Sequence, residues 1–322
     1  MIYEKIILVT RKTRLEGLVE RFNTKAQAQF YIEQNAQAQA KVSAKHAGDE
    51  FVFYEREHQV YHQALAQLRA ALQRLAKLQI IEREFLPNFL FAANDLVVTI
   101  GIDGLVVNTA KYLTGQPLIA VNPDPQHIDG VLLPFTVQSA LPVVQRALRG
   151  EFHAQAITMA EARLNDGQRL LAFNDLFIGV RSHVSARYRI ESGGREERHS
   201  SSGIIVSTGA GSTGWLSSLF NMAQGMIQGF GAQETAALPA HRLPWDTDRL
   251  LYVVREPFIS KTSGASIVCG EITRAQPLRL ESEMPEGGVI FSDGVENDYL
   301  AFNAGATATI GIAEQRTHLV VG

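Results

Sequence analysis

Residues 99–113, TIGIDGLVVNTAKYL, place an aspartate between two glycines directly after an apolar run. Asp103 lies between Gly101 and Gly104, and the residues after it can form a helix. Backbone N–H groups at such a strand-to-helix turn converge on anions, and a carboxylate beside a bound phosphate can accept a proton from an attacking hydroxyl. The turn is a candidate phosphate loop with Asp103 as catalytic base; the alternative is an ordinary turn.

A second candidate loop, within HSSSGIIVSTGAGSTGW at residues 199–215, is rich in small and hydroxyl-bearing residues. Its candidate ligand contacts are Thr208, Gly211, Ser212, Thr213, Gly214 and Trp215. Glycines let a ligand approach the backbone closely, and hydroxyl and N–H groups donate hydrogen bonds. The strand-like run before the loop and the tryptophan after it favour a binding loop over a flexible linker.

Two short polar pairs complete the set of candidates. Asn174-Asp175 interrupts the apolar stretch AFNDLFIG, which costs free energy unless the polar side chains find partners. A tight turn is the alternative interpretation. Asp293-Gly294 lies in FSDGVEND and can simply close a hairpin.

Buried strands and helices alternate in the first part of the chain. Apolar runs at 6–10, 96–100 and 118–121 are typical of strands in a parallel sheet. Leucines at helical spacing predict a helix within 54–79, and a second helix is predicted over 105–114. This alternation predicts an α/β N-terminal domain with a parallel, Rossmann-like sheet.

Ligands bind at the carboxyl ends of the strands in such sheets. The GIDG turn and the VNPDP loop both follow predicted strands, so they should share one edge of the sheet. Asn122 and Asp124 of the second loop are therefore further candidates for ligand binding.

Beyond about residue 135 a short helix is expected over 139–149, and strand-like runs then dominate. They predict an all-β C-terminal domain, interrupted by a helix in LSSLFNMAQGMIQG. The expected domains are 1–136 and 137–322, with the last strands as candidates to return to the first domain.

Composition excludes several classes of function. With 322 residues the chain is long enough for two domains, and a net charge of −3 gives no general attraction to nucleic acid or anionic membranes. No apolar run is long enough to span a bilayer, and the absence of a secretory signal predicts a cytoplasmic protein. The single cysteine, Cys269, is expected to be buried, and the scattered histidines predict no metal site.

Taken in order, the four candidate motifs resemble those of the NAD kinase family. That family has a GGDG loop, an Asn-Glu pair, a TGxGS-type loop ending in an aromatic residue, and a late Asp-Gly. The opening VTRKTR, VNPDP followed by HIDG, and the segments RGEF, SSG and REP are most similar to the mitochondrial-type branch.

The resemblance implies an NAD kinase/diacylglycerol kinase-like fold with the active site between the two domains. It implies ATP-dependent phosphorylation of the adenosine-ribose 2′-hydroxyl of NAD to give NADP, with Mg²⁺ brought by ATP. Asp103 would be the base, Asn174 and Asp175 would hold the dinucleotide, and residues 208–215 would line its adenosine and ribose. Small-molecule nucleotides are then the partners, and a homodimer or higher homo-oligomer is the expected assembly.

Four positions differ from the family pattern. Ile102 replaces the second glycine of the first loop, Leu105 replaces a threonine, Asp175 replaces a glutamate and Ala210 replaces a hydroxyl residue. The residues at positions 102 and 105 alter the loop that is expected to bind the donor phosphates. They keep open a non-catalytic NAD(P)-binding homologue as an alternative function; a related kinase acting on a sugar or lipid hydroxyl is another.

Overall fold

The computed structural model describes residues 2–40, 49–230 and 242–322. The chain divides into two compact units, Met1–Ala154 with Leu319–Gly322, and Gln155–His318. The sequence predicts a domain boundary after residue 136, whereas the first unit of the structure continues to Ala154. The helix that follows residue 136 packs its apolar face, including Val143 and Val144, into the core of the first unit, so the unit continues past it.

In its described residues, the first unit contains a parallel sheet and five α-helices. Its strands are β1 (Lys5–Thr10), β2 (Lys77–Glu82), β3 (Asp95–Ile100), β4 (Pro117–Asn122) and β5 (Phe135–Thr136). Its helices are α1 (Arg14–Phe22), α2 (Lys25–Ala40), α3 (Asp49–Leu72), α4 (Asp103–Ala110) and α5 (Val137–Ala147), with a 3-10 helix at Arg83–Asn88. The strands pair in parallel in the order β2-β1-β3-β4-β5.

The strands that the sequence predicts correctly are those with continuous runs of buried residues. Every residue of β3 and β4 is buried, as expected for inner strands of a sheet covered on both faces. The three predicted strands are confirmed as β1, β3 and β4. The predicted helix within 54–79 is wrong at its C-terminal end, because α3 stops at Leu72 and the chain turns into β2. Only Ile81 of β2 is buried, so this edge strand lacks the apolar run that identifies the others.

The second unit is built from antiparallel strands. They are β6 (Ala154–Leu164), β7 (Arg169–Ala172), β8 (Asp175–Val180), β9 (Ala186–Ser192), β10 (Arg195–Ser201), β11 (Ile204–Ser207), β12 (Arg249–Val254), β13 (Cys269–Thr273), β14 (Leu278–Ser282), β15 (Gly288–Ser292), β16 (Val295–Ala301) and β17 (Thr307–Val320). One sheet has the order β13-β12-β11-β8-β15-β16. A second set runs β10-β9-β14-β17, and β6 pairs with both β17 and β7.

Apolar side chains of both strand sets form one core, which includes Tyr188, Ile204 and Ile290. The expected C-terminal β domain is confirmed, and its interrupting helix is α6 (Trp215–Gly229). The expected burial of Cys269 is wrong. That residue opens the outermost strand of the six-stranded sheet, where the side chain faces solvent. Among the residues that the structure describes, no helix combines the length and apolar character that a membrane span needs.

Candidate functional site

Strand register brings three of the four candidate motifs together in the second unit. β8 lies between β11 and β15, with Asp175 opposite Ser207 and Leu176 opposite Ser292. Asn174 directly precedes β8 and Asp175 is its first residue, the Thr208 loop follows β11, and Asp293 follows β15. Since all three strands are antiparallel to their neighbours, these three loops emerge at the same end of the sheet.

Asp293 ties these loops together through its carboxylate. Its two oxygens accept hydrogen bonds from the backbone N–H groups of Phe173 (2.9 Å), Asn174 (2.7 Å) and Asp175 (3.1 Å). Its own N–H donates to the carbonyl of Asp175 at 2.9 Å. Positive φ values at Asp293 (54°) and Gly294 (69°) close the β15–β16 hairpin in the manner of a type I′ turn. Asp293-Gly294 therefore closes a hairpin, as the alternative interpretation held. The Asp293 carboxylate also shapes the neighbouring turn at residues 173–175.

Thr208 connects the second loop to the same turn. Its N–H donates to the carbonyl oxygen of Asn174 at 2.9 Å, and its hydroxyl donates to that of Phe173 at 2.6 Å. The hydroxyl also accepts the N–H of Gly211 at 3.1 Å. A side chain at Gly211 would collide with the Asn174 carbonyl, so this glycine is required by the close approach of two backbones.

Ser212 also serves the loop itself. Its hydroxyl donates to the carbonyl of Gly209 at 2.7 Å and accepts the N–H of Leu243 at 3.2 Å. Thr208 and Ser212 are both fully buried. In this conformation, therefore, the two predicted ligand-contacting hydroxyls hold the loop in shape and do not reach its surface.

The exposed part of this loop is its C-terminal end. Thr213 and Gly214 are exposed, and Trp215, the first residue of α6, is 40% exposed. The Trp215 ring stacks on Phe177 with ring centres 5.9 Å apart. The guanidinium of Arg255 lies 5.6 Å from the centre of the Trp215 ring. This arrangement offers an aromatic surface next to a cation, which suits an anionic ligand that carries rings.

Asp175 is the polar group of this region whose hydrogen bonding is least complete. Within the described residues, its Oδ1 is buried and has no hydrogen-bond partner. Burial raises the pKa of Asp175 to about 7, an effect that the Ser207 hydroxyl opposes and the negative charge of Asp293 reinforces. The carboxyl group is thus buried with an incomplete set of hydrogen bonds, and its charge state changes near neutral pH.

The GIDG turn lies in the first unit and positions Asp103 at the start of a helix. Ile102 is the N-cap of α4 with φ −110°, and Asp103 is the first helical residue. The Oδ1 atom of Asp103 accepts the N–H of Leu132 at 2.9 Å. A Cβ built on the exposed Gly104 would meet no described atom within 4 Å, so the first turn of α4 is open on that side.

Ile102 and Leu105, the two residues of this turn that differ from the family pattern, have different structural effects. The φ value at Ile102 is ordinary extended backbone, so isoleucine causes no strain there, and its side chain is 37% exposed. Leu105 is 1% exposed, and its side chain packs beneath Gly101. Only Ile102 therefore changes the surface that an anion would meet.

The VNPDP loop follows β4 and is organised by Asn122. The side-chain amide donates to the carbonyl of Ile128 at 2.9 Å, and its oxygen accepts the N–H of Asp124 at 2.9 Å. Gly130 adopts φ 60°, and a Cβ there would lie 2.8 Å from the Asn122 amide nitrogen. Asn122 therefore shapes the loop that delivers the Leu132 N–H to Asp103.

A cavity of about 90 Å³ opens beside this turn in the first unit. Its charged lining residues are Arg11, Arg14, Arg56, Glu57, Asp124 and His127. Arg11 pairs with Glu57 at 2.7 Å and Arg56 with Asp124 at 3.4 Å, while Arg14 is largely exposed. Counting histidine as neutral, three arginines face two carboxylates, so the cavity carries a net positive charge that favours anions.

Sequence reasoning did not identify these arginines as site residues. Arg11 follows β1 directly, so the rule that ligands bind at the carboxyl ends of strands could have found it. Arg56 lies in the middle of α3, and nothing in the local sequence distinguishes it from an ordinary solvated helix residue.

Replacing Asp293 tests the importance of its three acceptor bonds. We expect Asp293→Ala to lower the free energy of unfolding by about 3 kcal/mol, because three backbone donors lose a charged acceptor. Asp293→Asn tolerates the positive φ and keeps one acceptor oxygen, so it should cost about half as much. Urea unfolding measures both; equal costs for the two variants would contradict the assigned role of the carboxylate.

Asp175 should make stability depend on pH. Its folded-state pKa lies above the unfolded value, so the folded state binds the proton more tightly and the free energy of unfolding falls between about pH 4 and pH 7. Asp175→Asn should flatten this dependence and stabilise the protein at pH 8 by on the order of 2 kcal/mol. Urea unfolding across this pH range measures it, and Asp246→Asn, at an exposed aspartate, is the control. An unchanged slope in Asp175→Asn would contradict the assignment.

The known proteins that are similar to this chain include NAD and NADH kinases. No protein-family model matches the chain. Over 130 residues, or 38% of the chain, it is 32% identical to an NAD kinase of Heliobacterium modesticaldum, and the matched segment spans 44% of that relative.

Two solved structures extend the likeness to nearly the whole chain. An NAD kinase from Archaeoglobus fulgidus, solved in complex with ATP, is 16% identical with a TM-score of 0.55, covering 98% of this chain and 92% of that one. Yeast NADH kinase complexed with NADH is 13% identical with a TM-score of 0.56, covering 99% and 84%. The chain therefore has the fold of the solved NAD kinases and is similar to one NAD kinase in part of its sequence.

Proposed function

We propose that the protein is an NAD kinase-like phosphotransferase that uses ATP to phosphorylate the adenosine-ribose 2′-hydroxyl of NAD, giving NADP. The observation that carries the proposal is the placement of Asp103. Its side chain lies just beyond the end of β3, accepts a hydrogen bond from the Leu132 N–H, and neighbours Ile102, which lines a cationic cavity. The likeness to NAD kinases in fold and in part of the sequence supports it. The segments VTRKTR, VNPDP and RGEF favour the mitochondrial-type branch of the family.

Asp103 has the features of a base for a hydroxyl group. One carboxylate oxygen is fixed by the Leu132 N–H, which orients the side chain before substrate binds. Asp103 is the first residue of α4, where the helix dipole interacts favourably with a negative charge. Phosphoryl transfer requires mainly such positioning together with neutralisation of charge.

The donor phosphates are assigned to the cavity next to Ile102. The N–H groups of the first turn of α4 and the side chains of Arg11, Arg14 and Arg56 provide donors and positive charge there. Mg²⁺ bound with ATP would neutralise charge on the donor phosphates, and the carboxylates of Asp103 and Asp124 are the groups of these two loops that could hold it on the protein side.

The dinucleotide is assigned to the second unit. The carboxyl group of Asp175, a residue that is only partly buried, is assigned as acceptor for a ribose hydroxyl or amide of NAD, and Trp215 can stack on one of the rings of NAD. Asn174 contributes a half-buried amide from the same turn. The backbone bonds to Asp293 and Thr208 preorganise this surface.

A second candidate function rests on Ile102. Its partly exposed side chain lies at the N-cap of α4, where an anion would approach the first turn of the helix. An isoleucine there favours a protein that binds NAD or NADP without transferring phosphate. Leu105 gives no support to this alternative because its side chain is buried.

Asp103→Asn tests the proposed base. NADP formation from NAD, ATP and Mg²⁺ should fall roughly 100- to 10,000-fold, since the amide cannot accept the proton. NAD binding by calorimetry and the melting temperature should change little, because the amide oxygen still accepts the Leu132 N–H. Asp129→Asn, at an exposed carboxylate of the neighbouring loop, is the matched control. Full activity in Asp103→Asn would overturn the proposal.

Ile102→Gly separates the two candidate functions. Glycine is accepted at an N-cap, so the substitution opens the loop with little cost in stability. If the protein is a kinase, wild type forms NADP and the variant should show a lower KM for ATP. If it only binds the dinucleotide, wild type binds NAD without turnover, and activity appears in the variant alone.

A further inference from the structure

Two histidines on α3 and a glutamate on α1 form a cluster in the first unit. His58 and His62 are four residues apart, so they project from the same face of α3, and their ring centres are 4.3 Å apart. Glu16 faces them from α1, which packs against α3 through Leu15 and Phe51. One potential ligand atom from each of the three side chains lies within 4.8 Å of the other two.

Hydrogen bonds already orient this cluster. One Glu16 oxygen, Oε2, accepts the Thr13 N–H at 2.7 Å and lies 3.0 Å from the Thr13 hydroxyl, which leaves Oε1 directed at His62 Nε2 at 3.0 Å. The Thr13 hydroxyl also lies 2.9 Å from His58 Nδ1. Outer hydrogen bonds to a carboxylate and an imidazole are the arrangement that holds metal ligands in place.

We propose that Glu16, His58 and His62 bind one divalent transition-metal ion of the zinc type. Two imidazoles and one carboxylate are ligands that such ions prefer, and three protein ligands leave a fourth position for water. Ligand atoms about 2.0–2.2 Å from a tetrahedral ion lie about 3.4 Å apart. The three side chains therefore need only a modest inward rotation, and the metal replaces the bond between Glu16 and His62.

Access and local charge also suit a cation. The side chains of His62 and Glu16 are 42% and 34% exposed. A groove of about 500 Å³ reaches Glu16 and His58. Its other charged lining residues are Lys12, Glu20, Lys25 and Glu82, two of each sign. Lys12 pairs with Glu20 and Glu84, and Lys25 with Glu55, so neither lysine presents an isolated positive charge to the cluster.

A metal at this position would fix α3 against α1. The same helix carries Arg56 and Tyr61, which line the cationic cavity, and the Tyr61 hydroxyl accepts the N–H of Arg11 at 3.0 Å. The ion would touch none of these groups, yet it would hold the helix that positions them. The geometry of the cluster defines this metal site, which does not depend on the proposed kinase activity.

Metal titration of the full chain tests the inference. After chelator treatment and dialysis, Co²⁺ should give the visible d–d absorption of a site with mixed nitrogen and oxygen ligands, and Zn²⁺ should displace it at one ion per chain. Added Zn²⁺ should also raise the melting temperature. If excess Co²⁺ produces no such absorption in wild type, the site does not exist, whatever the variants show.

Variants distinguish this cluster from other histidines. His58→Gln and His62→Gln should each weaken Zn²⁺ binding at least about 100-fold and abolish the Zn²⁺-dependent rise in melting temperature. The controls are His127→Gln, at a histidine that pairs with Asp124 outside the cluster, and His183→Gln, at an exposed histidine of the second unit; both should bind as wild type does. Unchanged Zn²⁺ affinity in His58→Gln and His62→Gln would overturn the assignment.

Discussion

The candidate binding region of the second unit depends on one carboxylate that accepts hydrogen bonds from three backbone N–H groups. Asp293 accepts hydrogen bonds from the N–H groups of residues 173–175, where the chain turns from β7 into β8. The same turn presents carbonyl oxygens to Thr208 and thereby fixes the loop that leads to Trp215. One side chain thus determines the shape of three segments that are distant in sequence, because the strand register has already brought their ends together.

In the first unit, too, one polar side chain holds a loop in shape through hydrogen bonds to the backbone, but here the group is an amide and not a carboxylate. Asn122 bonds to two backbone groups of the loop after β4, and this loop supplies the N–H that orients Asp103. In both units largely buried strands provide the scaffold, and hydrogen bonds from a polar side chain hold an irregular loop in one shape. Such preorganisation reduces the entropy that a substrate must lose and is expected where geometry matters for chemistry.

Not every polar group receives a partner. Asp175 keeps a buried oxygen without a hydrogen bond in the described part of the chain, with a pKa raised to about 7 by burial. A group of this kind lowers stability when it is ionised. Ile102, by contrast, is accommodated without backbone strain, and its effect on function is confined to the space that its side chain occupies.

The sequence by itself determined the inner strands of the parallel sheet, the β character of the second unit, helix α6 and the positions of the four motifs. These features follow from local patterns: continuous apolar runs, helical spacing and clusters of turn residues. Only the tertiary structure decided that Thr208 and Ser212 are internal, that Cys269 is exposed, and that Glu16 meets two histidines more than forty residues away. Burial and side-chain proximity depend on which elements pack together, and no local window of sequence contains that information.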